Sequence, residues 1–130
     1  MASYLLDTCV ALWHFEGHSR ISAALRQVLT EPSNELYLSD VSILEIVIKH
    51  QIGKLPLPKP PSRIIRPLAE KHLMDILPLT TAAIFRLEAL PDLHHDPFDR
   101  LLICQAQACR IELISPDPLI RQYDVPALWI

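Results

Sequence analysis

Tyr4-Leu5-Leu6-Asp7-Thr8-Cys9-Val10-Ala11-Leu12-Trp13 is a three-residue apolar run, then one acid, then apolar residues at helical spacing. The run Tyr4 to Leu6 has the length of a buried strand. The hydrophobic period changes at Asp7, and a helix over about Cys9 to Phe15 follows. A strand that ends on an acid and passes straight into a helix is the first half of a βαβ unit, which commits the chain to an α/β fold if the pattern recurs.

It does recur. Short apolar runs predict further strands at Leu36 to Leu38, Asp75 to Leu77, Glu112 to Ile114 and Ala127 to Trp129. Between them, helical periodicity predicts helices at Ser22 to Leu29, Val41 to Ile52, Ser62 to Lys71, Thr81 to Leu90, Pro97 to Cys109 and Pro118 to Gln122. Strands alternating with helices imply a mainly parallel sheet, and right-handed crossovers put helices on both of its faces. The stretch Gly53 to Pro61 holds four of the twelve prolines and reads as an ordered connection inside a single domain spanning residues 1–130.

The bulk composition fits that reading. With 130 residues, half of them hydrophobic, the chain can bury a core without disulfides or structural metal. Met1 leads almost directly into the first strand with no basic n-region, and no apolar stretch approaches a membrane span, so a soluble cytoplasmic protein with no membrane partner is expected. Cys9, Cys104 and Cys109 are odd in number and lack zinc-finger spacing, as reduced thiols would be. A net charge of −3 argues against strong nonspecific attraction to nucleic acid, but it leaves room for a basic rim around an acidic pocket.

The acids are where chemistry enters. Asp7 and Asp117 both follow predicted strands, and the carboxyl ends of parallel strands are where open α/β folds bind ligands. Asp96-Pro97-Phe98-Asp99 is a strong helix start, with an acid at the cap, proline at the first helical position and a second acid in the first turn. Asp117-Pro118 repeats the cap and proline, so capping alone accounts for Asp96 and Asp117. Glu45 differs: it lies in Val41-Ser42-Ile43-Leu44-Glu45-Ile46-Val47-Ile48, apolar around most of its circumference. A carboxylate there is costly without a partner, Lys49 at i+4 being the local one. If these carboxylates converge, their repulsion calls for a cation, and all-oxygen ligation suits Mg²⁺ or Mn²⁺.

Taken in order, several segments resemble the PIN-domain family, specifically its VapC-like toxin group. They are Tyr4-Leu5-Leu6-Asp7-Thr8 with Ala11-Leu12-Trp13, Ser39 through Gly53-Lys54-Leu55-Pro56, His95-Asp96-Pro97-Phe98-Asp99-Arg100-Leu101-Leu102-Ile103, and Ser115-Pro116-Asp117-Pro118 followed by Tyr123-Asp124-Val125-Pro126. The resemblance implies a three-layer α/β/α sandwich with a mainly parallel central sheet. It also implies an Mg²⁺- or Mn²⁺-dependent ribonuclease, the toxin of a toxin-antitoxin pair, with RNA as substrate, a cognate antitoxin as partner and a homodimer as the assembly. Its acidic quartet falls on Asp7, Glu45, Asp99 and Asp117, with Asp96 the extra acid of the D-P-F-D form. The sequence departs from the common pattern at Cys9, where histidine or serine is usual, and at Ile43-Leu44 before the helix glutamate. Neither change removes a carboxylate.

On this reading Asp7, Asp99 and Asp117, with Asp96 close by, hold metal, while Glu45 orients the attacking water or completes the metal shell. Lys49, Lys54, Lys59, Arg63 and Arg66 follow Glu45 and are candidates for holding RNA phosphates, Lys49 and Lys54 foremost. Arg100 is a further candidate, for phosphate or for an ion pair. Thr8 and Ser115 flank the acids and are read as turn or capping groups, with Ser115 open to a site role. His94 and His95 are given no role. Leftover apolar surface on the helices Ser22 to Leu29 and Thr81 to Leu90 is a candidate docking face for the antitoxin or a second copy. Two rival functions use the same residues: a phosphoaspartyl hydrolase with Asp7 as nucleophile, weakened by cysteine at position 9, and a non-catalytic RNA- or antitoxin-binding module whose acids only cap helices.

Overall fold

The computed structural model describes all 130 residues. In chain order the elements are β1 (Ser3–Leu6), α1 (Thr8–Glu16), α2 (Ala23–Thr30), β2 (Glu35–Ser39), α3 (Asp40–Gln51), α4 (Pro61–Lys71), β3 (Met74–Leu77), α5 (Thr81–Phe85), α6 (Pro97–Cys109), β4 (Glu112–Ile114) and β5 (Ala127–Leu128). Single 3-10 turns lie at Arg86–Ala89 and Ile120–Gln122. The five strands form one sheet in the order β3-β2-β1-β4-β5, and every pairing is parallel.

β1 is central because it is apolar on both sides of its pleat. Leu5 pairs in register with Tyr37 and Leu113, and Leu6 with Ile114. Successive strand residues point to opposite faces, so Leu6 joins a core with Val10 of α1, Leu25 of α2 and Ile65 of α4. Leu5 joins a second core with Leu102, Ile103 and Ala106 of α6. Both leucines are completely buried, each contributing about 1.5–3 kcal/mol. Two cores on either side of one sheet make the three-layer α/β/α sandwich.

Local chemistry sets the helix ends. Ser22 Oγ caps α2 by accepting the Leu25 N–H at 3.1 Å, and Gly17 ends α1 at φ 66, the left-handed conformation glycine adopts without strain. Ser39 Oγ accepts the Val41 N–H at 2.8 Å and donates to Gln105 Oε1, tying the start of α3 to α6. Two expected helices are shorter than their periodicity suggests. Thr81 to Leu90 yields a five-residue α5 and a 3-10 turn, since Pro91 forces Leu90 to an extended ψ of 128. Pro118 to Gln122 yields only the 3-10 turn of three residues, in a stretch where Pro116 and Pro118 each remove a backbone donor.

The strand order places the site. From β1 the chain moves outward through β2 and β3, then returns past β1 to add β4 on its other side. α1, leaving β1, packs into the core on one face, whereas Ile120 and Tyr123, which follow β4, pack into the core on the other. The two chain segments diverge at the carboxyl ends of neighbouring strands, and that divergence opens a crevice.

Candidate active site

A cavity of about 410 Å³ occupies that crevice, lined by Asp7, Thr8, Cys9, Leu12, Glu45, Ile46, Lys49, Lys54, Leu55, Asp96, Asp99, Pro116 and Asp117. All five acids singled out in the sequence therefore meet in one place, together with Lys49 and Lys54. Arg100 is not among the lining residues. Its Nη1 donates to Pro91 O at 2.9 Å and its Nη2 to Leu90 O at 3.4 Å, so it braces the loop before α6. Adjacent helical residues do not share a face, and Asp99 therefore points inward without Arg100. Lys59 and Arg63 also lie outside the cavity lining, while Arg66 borders a separate groove with Ile43, Val47 and Ile76.

Each acid is held differently. Asp7 occupies the cap position of α1, but its side chain makes no cap hydrogen bond; Oδ2 accepts from Ser115 Oγ at 2.6 Å. Asp96 does cap α6, Oδ1 accepting the Phe98 N–H at 2.8 Å. Asp117 Oδ1 accepts the Leu119 N–H at 2.9 Å. Capping and cavity lining thus coexist in Asp96 and Asp117. Glu45 reaches the site because Thr8 Oγ1 donates to Ser42 Oγ at 2.8 Å. That bond pins α3 against α1, and Glu45, three residues on, shares the Ser42 face. Lys49 Nζ binds Glu45 Oε2 at 2.5 Å. Oε1 of the same carboxylate is buried without any partner.

His94 and Ser115 complete the arrangement. Ser115 is wholly buried; its Oγ donates to Asp7 and accepts the Asp117 N–H at 3.1 Å, linking the two strand ends. Nε2 of His94 lies 2.7 Å from Asp117 Oδ2 and 3.1 Å from Asp99 Oδ2. The sequence reading assigned His94 nothing. The available signal was its place two residues before Asp96, in reach of the start of α6, whereas the contact that gives it meaning spans 23 residues of chain.

The electrostatics show what the site lacks. Burial pushes the Asp99 carboxyl up to about 7, helped by the charges of Asp7 and Asp96 and opposed by His94. Burial likewise raises Asp7, with the Ser115 hydrogen bond pulling against it and Glu45 adding to it. Burial and the charges of Asp7 and Asp99 push the Cys9 thiol up to about 12, which keeps it protonated at neutral pH and unsuited to act as a thiolate nucleophile. Crowded, desolvated carboxylates and an orphaned Glu45 oxygen form a site short of positive charge. The donors facing the cavity are oxygens, which fit a hard divalent cation such as Mg²⁺ or Mn²⁺.

The comparisons with known proteins agree with the fold. No curated protein matches the sequence significantly. Among solved structures, the chain resembles VapBC2 of Rickettsia felis bound to a promoter DNA fragment, with TM-score 0.74, 14% identity and 97% of both chains covered. It also resembles DNA-bound VapBC of Salmonella typhimurium, with TM-score 0.71, 14% identity and 98% of both chains covered. A toxin-antitoxin complex from Klebsiella pneumoniae gives TM-score 0.60 and 19% identity over 88% of this chain and 86% of that one. At those identities the likeness speaks for the fold alone. The PIN domain family model, by contrast, matches the sequence itself over residues 4–126, and with its acids gathered at the switch point of a parallel sheet this chain belongs to the PIN domain family.

Proposed function

We propose that this protein is a metal-dependent endoribonuclease that hydrolyses RNA phosphodiester bonds, and that it is the toxin of a toxin-antitoxin pair. The observation that carries the reading is the convergence of Asp7, Glu45, Asp99 and Asp117, with Asp96, on one open cavity whose carboxylates outnumber the lysines, Lys49 and Lys54, that line it. Asp7, Asp99 and Asp117 would hold one or two Mg²⁺ or Mn²⁺ ions, with Asp96 beside them. A bound cation supplies Lewis acidity, stabilising charge that develops on the phosphate and acidifying a water.

The chain's own groups do the rest. Ser115 occupies Oδ2 of Asp7 and leaves Oδ1 free, fixing the carboxylate's orientation, as hydrogen bonds to metal-binding carboxylates generally do. Glu45 Oε1, buried and unpartnered, orients the attacking water and accepts a hydrogen bond from it. Lys49 holds the other oxygen of Glu45 and so fixes the carboxylate. Lys54, with the exposed part of Lys49, draws the phosphate backbone to the acidic crevice.

A cognate antitoxin and a second copy of the chain are the proposed partners. Leu44, Val47, Ile48 and Ile52 are exposed along one side of α3, and Ile84 and Phe85 are exposed at α5. α2, a candidate docking face in the sequence, spends Leu25 and Leu29 on the core, so α3 and α5 are the better docking surfaces.

The test is cleavage of a structured RNA by wild type and Asp99→Asn with Mg²⁺, Mn²⁺ or EDTA. Cleavage by wild type only, and only with metal, is expected. Equal cleavage by the mutant, or in chelator, overturns the reading. A non-catalytic binding module would cleave in no condition and would show little Mn²⁺-dependent rise in Tm, because it has no site for mass action to stabilise.

A further inference from the structure

His94 lies on the loop that leads into α6, is 9% exposed, and has both ring nitrogens engaged. The Asp96 N–H donates to Nδ1 at 3.1 Å. A backbone N–H only donates, so Nδ1 must present its lone pair, and the neutral imidazole then carries its single proton on Nε2. That proton is donated to Asp117 Oδ2, 2.7 Å away, and Asp99 Oδ2 lies 3.1 Å from the same nitrogen, close enough to feel its polar N–H without accepting it. A protonated Nε2 has no lone pair for a cation. The backbone around the ring is pinned as well: the His94 N–H donates to the Tyr123 hydroxyl at 2.7 Å, and Arg100 Nη1 donates to His94 O at 3.4 Å.

One nitrogen of His94 and one oxygen each of Asp99 and Asp117 lie within 4.8 Å of one another. That grouping alone suggests a mixed nitrogen and oxygen site, which would favour borderline ions such as zinc. The tautomer argues otherwise. We infer that His94 is a positioning residue, which hydrogen-bonds the Asp117 carboxylate through Nε2–H, sets it beside Asp99 across the same polar N–H edge, and is not itself a metal ligand. Asp99 comes from the first turn of α6 and Asp117 from the loop after β4, and although Leu119 N–H holds Oδ1 of Asp117, it is the His94 ring that lies against the Oδ2 atoms of both carboxylates and sets their spacing. With the nitrogen spent on donation, the acids offer the cation oxygens alone, the donor set that suits Mg²⁺ or Mn²⁺. The inference rests on the proposed metal site for its purpose, but its geometry can be read without metal.

Three variants separate the roles. His94→Gln carries an amide N–H to about the place of Nε2, His94→Asn reaches only about as far as Nδ1, and His94→Ala has neither. Mn²⁺ affinity, read by the free-ion EPR signal, should fall about 10–100-fold in the alanine and asparagine variants and stay close to wild type with glutamine. Long-range ¹H–¹⁵N NMR of the wild type should show Nδ1 unprotonated and Nε2 protonated, both in EDTA and with saturating Mg²⁺. Undiminished Mn²⁺ affinity in His94→Ala overturns the clamp, as does a protonated Nδ1 in the metal-free protein. Loss of the Nε2 proton on adding Mg²⁺ overturns it in favour of direct ligation. A wild type that binds neither ion sinks the nuclease reading instead, and the metal-free tautomer then decides the clamp by itself.

Discussion

Asp99→Asn should stabilise the metal-free protein and abolish its stabilisation by metal, so that the order of melting temperatures inverts when Mn²⁺ is added. The Asp99 carboxyl stands at about 7 against an ordinary 3.8, mainly through burial and then through Asp7 and Asp96. At about 1.4 kcal/mol per tenfold in proton affinity, holding it ionised at pH 8 costs the fold on the order of 4 kcal/mol. Partial screening at the open mouth of the cavity brings the expected gain from asparagine to about 2–4 kcal/mol, a rise in Tm of about 6–15 °C for a chain of this size. The sign follows from a raised acid. The stability contribution of Asp99 is fully present below 3.8 and is lost as pH rises through about 7. The advantage of asparagine is therefore greatest above pH 7 and shrinks to under about 1 kcal/mol near pH 4. With Mn²⁺ at about 1,000 times its Kd, wild type gains about 4.1 kcal/mol, enough to overtake the variant, which, short of a ligand, gains little. Differential scanning calorimetry of both proteins at pH 8 and pH 4, in EDTA and in Mn²⁺, gives all eight conditions. A less stable Asp99→Asn in EDTA at pH 8, or an equal Mn²⁺ response in the two proteins, would refute the argument that these carboxylates crowd for want of a cation.

Glu45→Gln keeps the side-chain shape but weakens the acceptor at the unpartnered Oε1, so kcat for RNA cleavage should fall about 10²–10⁴-fold while Tm in EDTA does not fall; unchanged kcat would remove Glu45 from the chemistry. Lys54→Ala should weaken RNA binding alike across sequences and lower the dependence of log K on log salt by about one, whereas Arg100→Ala, which unbraces Leu90 and Pro91, should lower Tm and leave that slope unchanged. Ser115→Ala removes the bond that holds the Asp7 carboxyl down, so the pH midpoint of Mn²⁺ binding should move upward in a titration followed by EPR. His14 is buried and held down to about 4, first by desolvation and then by His72 and Arg26. Its contribution is whole above 6.5 and lost as pH falls toward about 4, roughly 2–3 kcal/mol in all; His14→Phe should flatten that part of the pH-stability curve measured in urea.

Much of this was legible in the chain because it is local. The change of period at Asp7, the proline-led start at Pro97, and the apolar run around Glu45 each report on a few neighbouring residues, and parallel strands carry their acids to one edge by rule. The misreadings are local too, where one signal outran its neighbours: the periodicity of Thr81 to Leu90 ignored Pro91, and Pro118 to Gln122 was read as a helix although two prolines leave only a 3-10 turn; of the two readings open for Arg100, the ion pair is the one seen, with Asp92 at 3.9 Å.

By itself, then, the sequence determined the α/β alternation, the strand-end position of Asp7 and Asp117, and the discomfort of a lone carboxylate in an apolar helix. Those are consequences of hydrophobic period and backbone preference, which act over one or two turns. Only the tertiary structure decided that Ser115 joins Asp7 across 108 residues, that Thr8 turns Glu45 into the crevice by holding Ser42, and that His94 bridges Asp99 and Asp117. These depend on strand order and on which helix faces meet, and no local preference of the chain encodes them.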